Sequence, residues 1–574
     1  MPSISKKGNK IMLYPVSNSK RFVLNLNGLW KFAVVPDDYS AATPLKNAAI
    51  MPVPSSFNDI TTDKALRDYV GKVAYETCFS LPLEEKNEYR LRIGAASHKC
   101  EVYLNGAFIG SGLSGFLPVD IPLEKLDEEN RLTVVIDNRL TYNTLPPGRI
   151  EPDGRQTINF DFYNYTGIHR DVSVYSRPKD GIDDITIKTV VYGDYRMVKA
   201  MVKGGKGKFL YTVSDRDGKI VATSENGDII VENPQLWSSE NPYRYLLTVK
   251  CDNDEYKLKF GIRKVTYDND GLYINDKKVY LKGCCKHEDF YIAGKGIISA
   301  VNVRDFELMK WLGANSTRTS HYPYSEEFME LADEYGIMVI DEVPAVGMNA
   351  FRGEGNFTPN RLNEETQTLH KRLIAELIGR DKNHPCVVML SVANEPATEE
   401  DASRGYFKGV IDYTRTLTEL PLTLPEVTKF SQESKVADLV DFTALNRYYG
   451  WYEEHGNLYK TREMFVDELT KWHDKYGKPI IVSEFGADTI EGYHSLPSEA
   501  FSEEYQCEML SECFAAFDEL PFVTGEHIWN FADFKTKQGT IRVRGNRKGI
   551  FTRDRQPKAA AFIVKKRWRE PNGK

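Results

Sequence analysis

No stretch of this 574-residue chain approaches the roughly 20 consecutive apolar residues that a membrane helix requires. The opening, MPSISKKGNKIMLYP, is charged and lacks the apolar core of seven or more residues that marks a secretory leader. Cysteine is sparse and scattered, at Cys78, Cys100, Cys251, Cys284, Cys285, Cys386, Cys507 and Cys513, and no pair has the CxxC spacing of a zinc site. Free thiols in a reducing cytoplasm are the expected state. His287-Glu288 in CCKHEDF has no second histidine one helical turn on, so neither a metal nor a cofactor is expected. There is no basic run, and the formal net charge is −7, which argues against nucleic acid as the main partner. Solenoid-length repeats and low-complexity linkers are missing too. What is left is ordinary globular composition, 41% hydrophobic and 27% charged, in a chain long enough for several domains.

The pattern divides into three regions. Residues 1–178 are strand-rich. EYRLRIGAASHKCEVYLNGAFIGSG alternates apolar and polar residues on both sides of Asn105-Gly106, the favoured two-residue hairpin turn, and RLTVVIDN is a further strand. This predicts a jelly-roll β-sandwich. Over 179–272 the pattern stays β, in DDITIKTVVYG, YRYLLTVKC and YKLKFGIRKV, at the size of an immunoglobulin-like sandwich. Over 273–574 strands alternate with helices. VRDFELMKWLGA carries a C-terminal glycine stop, and the next helix places Phe328, Leu331, Ala332 and Tyr335 on one face before Gly336 ends it. Eight candidate strands occur here: VYLKGCC, NSTRTSHYP, IMVIDEVP, VVMLSVANEP, LPLTLPEV, FTALNRYYG, PIIVSEFGAD and FVTGEHIWNFADF. A (β/α)8 barrel is the expected fold.

Catalytic groups of such barrels sit where strands end. His321, Asp341, Glu342, Glu395, Asn446, Glu484 and Trp529 all follow apolar runs here. Glu395 ends the fourth strand and Glu484 the seventh, so the barrel would bring both to one rim. Two carboxylates across a cleft, one protonated and one ionised, are what glycosidic bond cleavage needs. A strand-end glutamate sealed into a salt bridge, another barrel chemistry, or a non-catalytic sugar-binding protein would fit the same residues. Two aromatic-rich segments, NRYYGWY and HIWNFADF, also follow barrel strands and suit the flat C–H faces of sugars.

These residues resemble glycoside hydrolase family two along the whole chain. NSTRTSHYP and DKNHPCVVMLSVANE are similar to its two signature segments, although many members have Trp where this chain has Leu390. NFDFYNYTGIHR, RTSHYPYSEE, NRYYGWY, HIWNFADF and GNRKGIFTRDRQPKAAAF resemble the members that cleave β-glucuronides. The resemblance implies a retaining exo-acting hydrolase in which Glu395 is the general acid/base and Glu484 the nucleophile. Asn394 would bond the sugar 2-hydroxyl, and Asp161 would reach the sugar from the first domain. His321, Asn446, Tyr448 and Trp529 would line the pocket. Asn546 and Lys548, in an Asn-x-Lys motif, would recognise a uronic acid carboxylate with help from Arg542 and Tyr452. Read without the family, RVRGNRKG is equally a solvated basic turn. The implied partners are glucuronide conjugates or glucuronate-terminated oligosaccharides and further copies of the chain; β-galacturonidase and β-galactosidase are the nearest alternative activities. The segment 349–366 is short beside the insertion that covers the active-site mouth in some bacterial relatives, which suggests an open mouth.

Overall fold

The computed structural model describes residues 13–193, 195–350 and 354–570. In the first region the alternating strands stack as two antiparallel sheets. The strands Phe22–Asn25, Val172–Pro178, Asn87–Ile93 and Val119–Leu123 lie side by side in one. The six-stranded sheet runs Ala49–Val53, Gly28–Val35, Lys72–Phe79, Asn130–Asp137, Lys99–Leu104, Ala107–Leu113. Their inward residues, including Trp30, Phe32, Leu91, Ile93 and Val134, form one core between the sheets. The expected hairpin is present: Leu104 pairs with Ala107, and Asn105 and Gly106 both take positive φ, 50° and 87°.

The second region is a seven-stranded sandwich of three and four strands. Ile185, Val198 and Ile229 from one sheet meet Val213, Leu247 and Phe260 from the other. A small meander follows, Val265–Asp268, Gly271–Ile274 and Lys277–Val279. The boundary drawn at 272 from sequence falls inside it, and Leu272 and Ile274 pack into the core of the third region.

That region is a closed barrel of eight parallel strands: β1 (Leu281–Cys285), β2 (Ser316–Arg318), β3 (Met338–Glu342), β4 (Val387–Ser391), β5 (Leu422–Glu426), β6 (Phe442–Asn446), β7 (Ile480–Glu484) and β8 (Val523–Ile528). Each lies within one of the eight candidate strand segments, in order. Helix α1 (Ser299–Leu312) ends on Gly313 at φ 89°, and α2 (Glu326–Tyr335) ends on Gly336 at φ 70°, the left-handed stops expected of those glycines. Leu390, in the family's tryptophan position, is buried in the barrel core. Among the described residues no helix is long and apolar enough to cross a membrane.

Asp333 of α2 ties the second sandwich to the barrel. Its backbone carbonyl accepts the Trp237 indole N–H at 3.0 Å, and its carboxylate takes the Cys386 amide at 2.9 Å and His384 Nδ1 at 2.6 Å. Burial works against the His384 imidazolium, but the Asp333 carboxylate outweighs it and raises its pKa from 6.5 to about 9. A cationic group raised on folding stabilises fully below its unfolded value and loses that contribution as pH climbs through its folded one. The thermal midpoint of the protein should therefore exceed that of Asp333→Asn at pH 6, with the gap closing by pH 10. A gap that stays constant across that range contradicts the pairing.

Candidate active site

The apolar run of β4 ends on Ser391, and the chain turns through Asn394 and Glu395 where β3 and β5 flank it. Asn394 N donates to the Ala345 carbonyl at 3.0 Å and Glu395 N to that of Pro425 at 2.9 Å. Glu395 adopts φ 50°, a left-handed backbone that costs a non-glycine residue about 1–2 kcal/mol. Pro396 removes the donor that would extend the ladder. On the far side Glu484 is the last residue of β7, 4% exposed, next to Asn446 at the end of β6. Gly486 follows it because β7 and β8 converge here: a Cβ on that residue would lie 2.1 Å from the Trp529 carbonyl oxygen.

One hydrogen-bonded chain joins the two glutamates. Arg318 Nη2 donates to Glu484 Oε1 at 2.5 Å, and Arg318 Nη1 to Asn394 Oδ1 at 3.3 Å. Asn446 Nδ2 reaches Asn394 Oδ1 at 3.2 Å and Glu395 Oε1 at 2.8 Å, while Ser483 Oγ donates to Asn446 Oδ1 at 2.7 Å. Tyr448 donates its hydroxyl to Glu484 Oε2 at 2.5 Å. Beneath, Glu342 accepts from Arg318 at 2.7 and 2.9 Å, from Ser391 Oγ at 2.6 Å and from His321 Nδ1 at 2.9 Å. Burial opposes the Glu342 charge, yet Arg318 and His321 hold its carboxyl below the usual range. Burial pushes Glu484 up to about 7; the Arg318 guanidinium resists this and the Glu395 charge adds to it. His321 stacks on Trp529 at 5.0 Å, with 19° between the rings.

A second cluster occupies the neighbouring wall. Lys548, 1% exposed, points at the loop after β7, bonding Asp488 Oδ2 and, at 2.8 Å, the Tyr452 hydroxyl. Arg542 Nη2 donates to the same hydroxyl at 2.6 Å, and its Nη1 to Asp488 Oδ2 at 3.2 Å. Asp161, on a loop of the first sandwich, accepts from Arg542 Nε at 3.0 Å and from Asn546 Nδ2 at 2.7 Å. The two clusters abut: Tyr448 and Tyr452 meet edge to face at 5.1 Å, and the Lys548 ammonium lies 5.5 Å from the Tyr448 ring. RVRGNRKG is thus half turn and half wall: Val543 and Arg544 are exposed, whereas residues 545–549 are buried against the second cluster.

All twelve residues given catalytic or binding roles lie in these two clusters or on the His321–Trp529 stack beside them. Of the two other strand-end acids, Glu342 lies beneath the first cluster, while Asp341 is buried against Thr319 outside both. Two further residues, neither of them a strand-end candidate, are central. Arg318 lies in NSTRTSHYP, where its one signal is membership of a segment similar to a family signature, since the strand Ser316–Arg318 is polar throughout. Asp488, in SEFGAD, gave none beyond its closeness to Glu484. Of the short segment 349–366, residues 351–353 lie outside the described residues. Its flanks are tied down, Asn349 by Asn159 at 2.5 Å and Asn356 and Phe357 by the Glu400 carboxylate at 2.9 and 3.1 Å.

Residues 265–572 match the TIM barrel domain of glycosyl hydrolases family 2, residues 23–178 that family's sugar binding domain, and residues 168–263 a further domain of the family. The chain belongs to glycosyl hydrolase family 2. Among family 2 relatives, a β-glucuronidase of Paenibacillus borealis is 43% identical over 97% of this chain and 99% of its own. The solved structure of a β-glucuronidase from an uncultured Clostridium species superposes with a TM-score of 0.94 at 47% identity, covering 97% of this chain and 99% of that one. A β-glucuronidase from Ruminococcus gnavus in complex with uronic isofagomine gives 0.92 at 41%, over 97% and 99%.

Arg318 donates to both Glu342 and Glu484, and His321 lies near the same two carboxylates, 2.9 Å from Glu342 and 3.8 Å from Glu484. Replacing Arg318 by Met takes the guanidinium from two buried carboxylates, and breaking a buried pair in this way costs about 3–5 kcal/mol. Arg318→Met should unfold at a clearly lower urea concentration than the parent; an unchanged midpoint would contradict the arrangement.

Proposed function

We propose that the protein is a retaining exo-β-D-glucuronidase, hydrolysing β-D-glucuronides to glucuronic acid and an alcohol. The observation that carries this reading is the pairing of a two-glutamate cleft with an adjoining cluster of directed cations. Lys548 has three donor hydrogens and commits two; Asn546 and Arg542 also keep uncommitted N–H groups. The Tyr452 oxygen accepts from both cations, which leaves its own proton to donate. Such donors suit a substrate carboxylate and are wasted on a neutral hydroxymethyl group. The Ruminococcus gnavus relative's complex with a uronic ligand supports the same assignment.

In this reading Glu484 attacks the anomeric carbon, and Arg318 and Tyr448 stabilise the carboxylate that does so. Glu395 protonates the departing oxygen, then takes a proton from the water that releases the sugar. Asn394 bonds the 2-hydroxyl, Asp161 with Asn546 meets the sugar's far edge, and the His321–Trp529 stack forms a wall with Asn446 behind it. Chemistry runs on these side chains, with no cofactor. The short segment after β3 supports a mouth open to larger aglycones or oligosaccharide ends. Eight free cysteines support a cytoplasmic setting, and the family resemblance supports a homo-oligomer.

Lys548→Ala removes a charge-assisted contact worth about 1.5–3 kcal/mol, so kcat/KM for 4-nitrophenyl β-D-glucuronide should fall by about 10- to 150-fold. The same substitution should leave the slow cleavage of the matching glucoside unchanged. A panel of nitrophenyl glycosides differing at C4 and C6 tests the assignment directly. Equal turnover of glucuronide by variant and parent would sink the uronate assignment, and faster turnover of galacturonide or galactoside would redirect it.

The pair also has a pH signature. The Glu395 charge helps hold Glu484 up near pH 7, and Glu484 attacks only when ionised. Glu395→Gln removes that charge, favours the Glu484 carboxylate and lowers its pKa. With 2,4-dinitrophenyl β-D-glucuronide, whose leaving group needs no acid, the burst of dinitrophenolate should therefore persist to lower pH than in the parent. A burst limb that stays put or moves upward is the contrary result.

A further inference from the structure

Asp488 lies four residues beyond Glu484, is 2% exposed, and spends its whole carboxylate on the second cluster. Oδ2 accepts from both the Lys548 ammonium and Arg542 Nη1, and Oδ1 accepts the Arg547 backbone N–H at 2.8 Å. Burial alone would neutralise such a group; the two cations instead hold it below the usual carboxylate range. The same two cations converge on the Tyr452 hydroxyl. Lys548, Asp488, Arg542 and Tyr452 thus form a closed ring of alternating donors and acceptors.

The ring answers a physical problem. Two like charges that share an acceptor repel one another, and each sits on a long side chain that would otherwise sample many rotamers. An anion between them cancels the repulsion and fixes both heads before any ligand arrives, so a bound carboxylate meets donors already in place. An asparagine at the same position fits the space but supplies no charge, and its amide would turn a donor toward one of the cations.

We propose that Asp488 is a specificity-determining positioning residue: it holds the Lys548 ammonium and the Arg542 guanidinium at a spacing that one uronic acid carboxylate bridges, and so sets the preference for a carboxylate over a hydroxymethyl group at that sugar position. The proposal rests on the uronide reading above. It acts through Lys548 and Arg542, not on the reacting atoms, so its mark is a change in selectivity and not a general loss.

The test is calorimetric binding of two probes, uronic isofagomine and its neutral counterpart isofagomine, to the full-length parent, Asp488→Asn, Lys548→Met and the double variant. Circular dichroism and the thermal midpoint report folding, and the double variant removes one charge of each sign, which keeps the cluster balanced should Asp488→Asn alone unfold. The expected result for Asp488→Asn is a Kd for uronic isofagomine raised about 10- to 100-fold, with that for isofagomine within about threefold of the parent. The double variant should bind uronic isofagomine no worse than Lys548→Met, because the two residues act as one unit. An Asp488→Asn protein that keeps the parental preference overturns the inference, and so does equal weakening of both probes. In the double variant, fully additive losses do the same. A parent that binds both probes equally overturns the uronide reading itself, and this inference with it.

Discussion

Arg318 carries a full charge at the floor of a cleft in which it is inaccessible to water, and that charge organises everything above it. Taking a guanidinium out of water is tolerable only if anions and acceptors surround it. The barrel supplies them from three strands: Glu342 on β3, Asn394 just past β4, and Glu484 on β7. None of those groups could be buried there without the arginine, and the arginine could not be buried without them. Because the guanidinium is planar and rigid, its two ends set the direction in which the Glu484 and Asn394 side chains point.

The second cluster follows the same logic at smaller scale. Its cations, Lys548 and Arg542, are bonded to carboxylates of the protein, Asp161 and Asp488. A lysine bonded to Asp488 and to the Tyr452 hydroxyl keeps its place. Affinity for an incoming anion is reduced by this internal pairing, while discrimination between an anion and a neutral group is sharpened, since the geometry no longer adapts to either.

Much of the fold was legible because buried parallel strands need continuous apolar runs, and such runs are hard to mistake. All eight strands were read in order, although β2, Ser-Thr-Arg, holds no apolar residue, as was the Asn105-Gly106 hairpin, whose local chemistry dictates its shape. The meander at 265–279 was not, since strands of three or four residues are too short to show a period until they pack on something. Of the site, Glu395 and Glu484 stood out by ending apolar runs, and the family likeness supplied roles for the others. Arg318 and Asp488 escaped because their importance lies wholly in what they touch. Arg318 meets partners from β3, β4 and β7, and Asp488 meets Lys548 and Arg542 some sixty residues later in the chain. Contacts of that range leave no periodic trace in sequence.

Asp161 is contributed by the first sandwich, yet it bonds Arg542 and Asn546 of a loop beyond β8. The second cluster is thus assembled from opposite ends of the polypeptide. A barrel excised by itself would present Arg542 with one of its two anions gone. Exchange of the amino-terminal sandwich between family members would accordingly exchange the partner that Arg542 and Asn546 share.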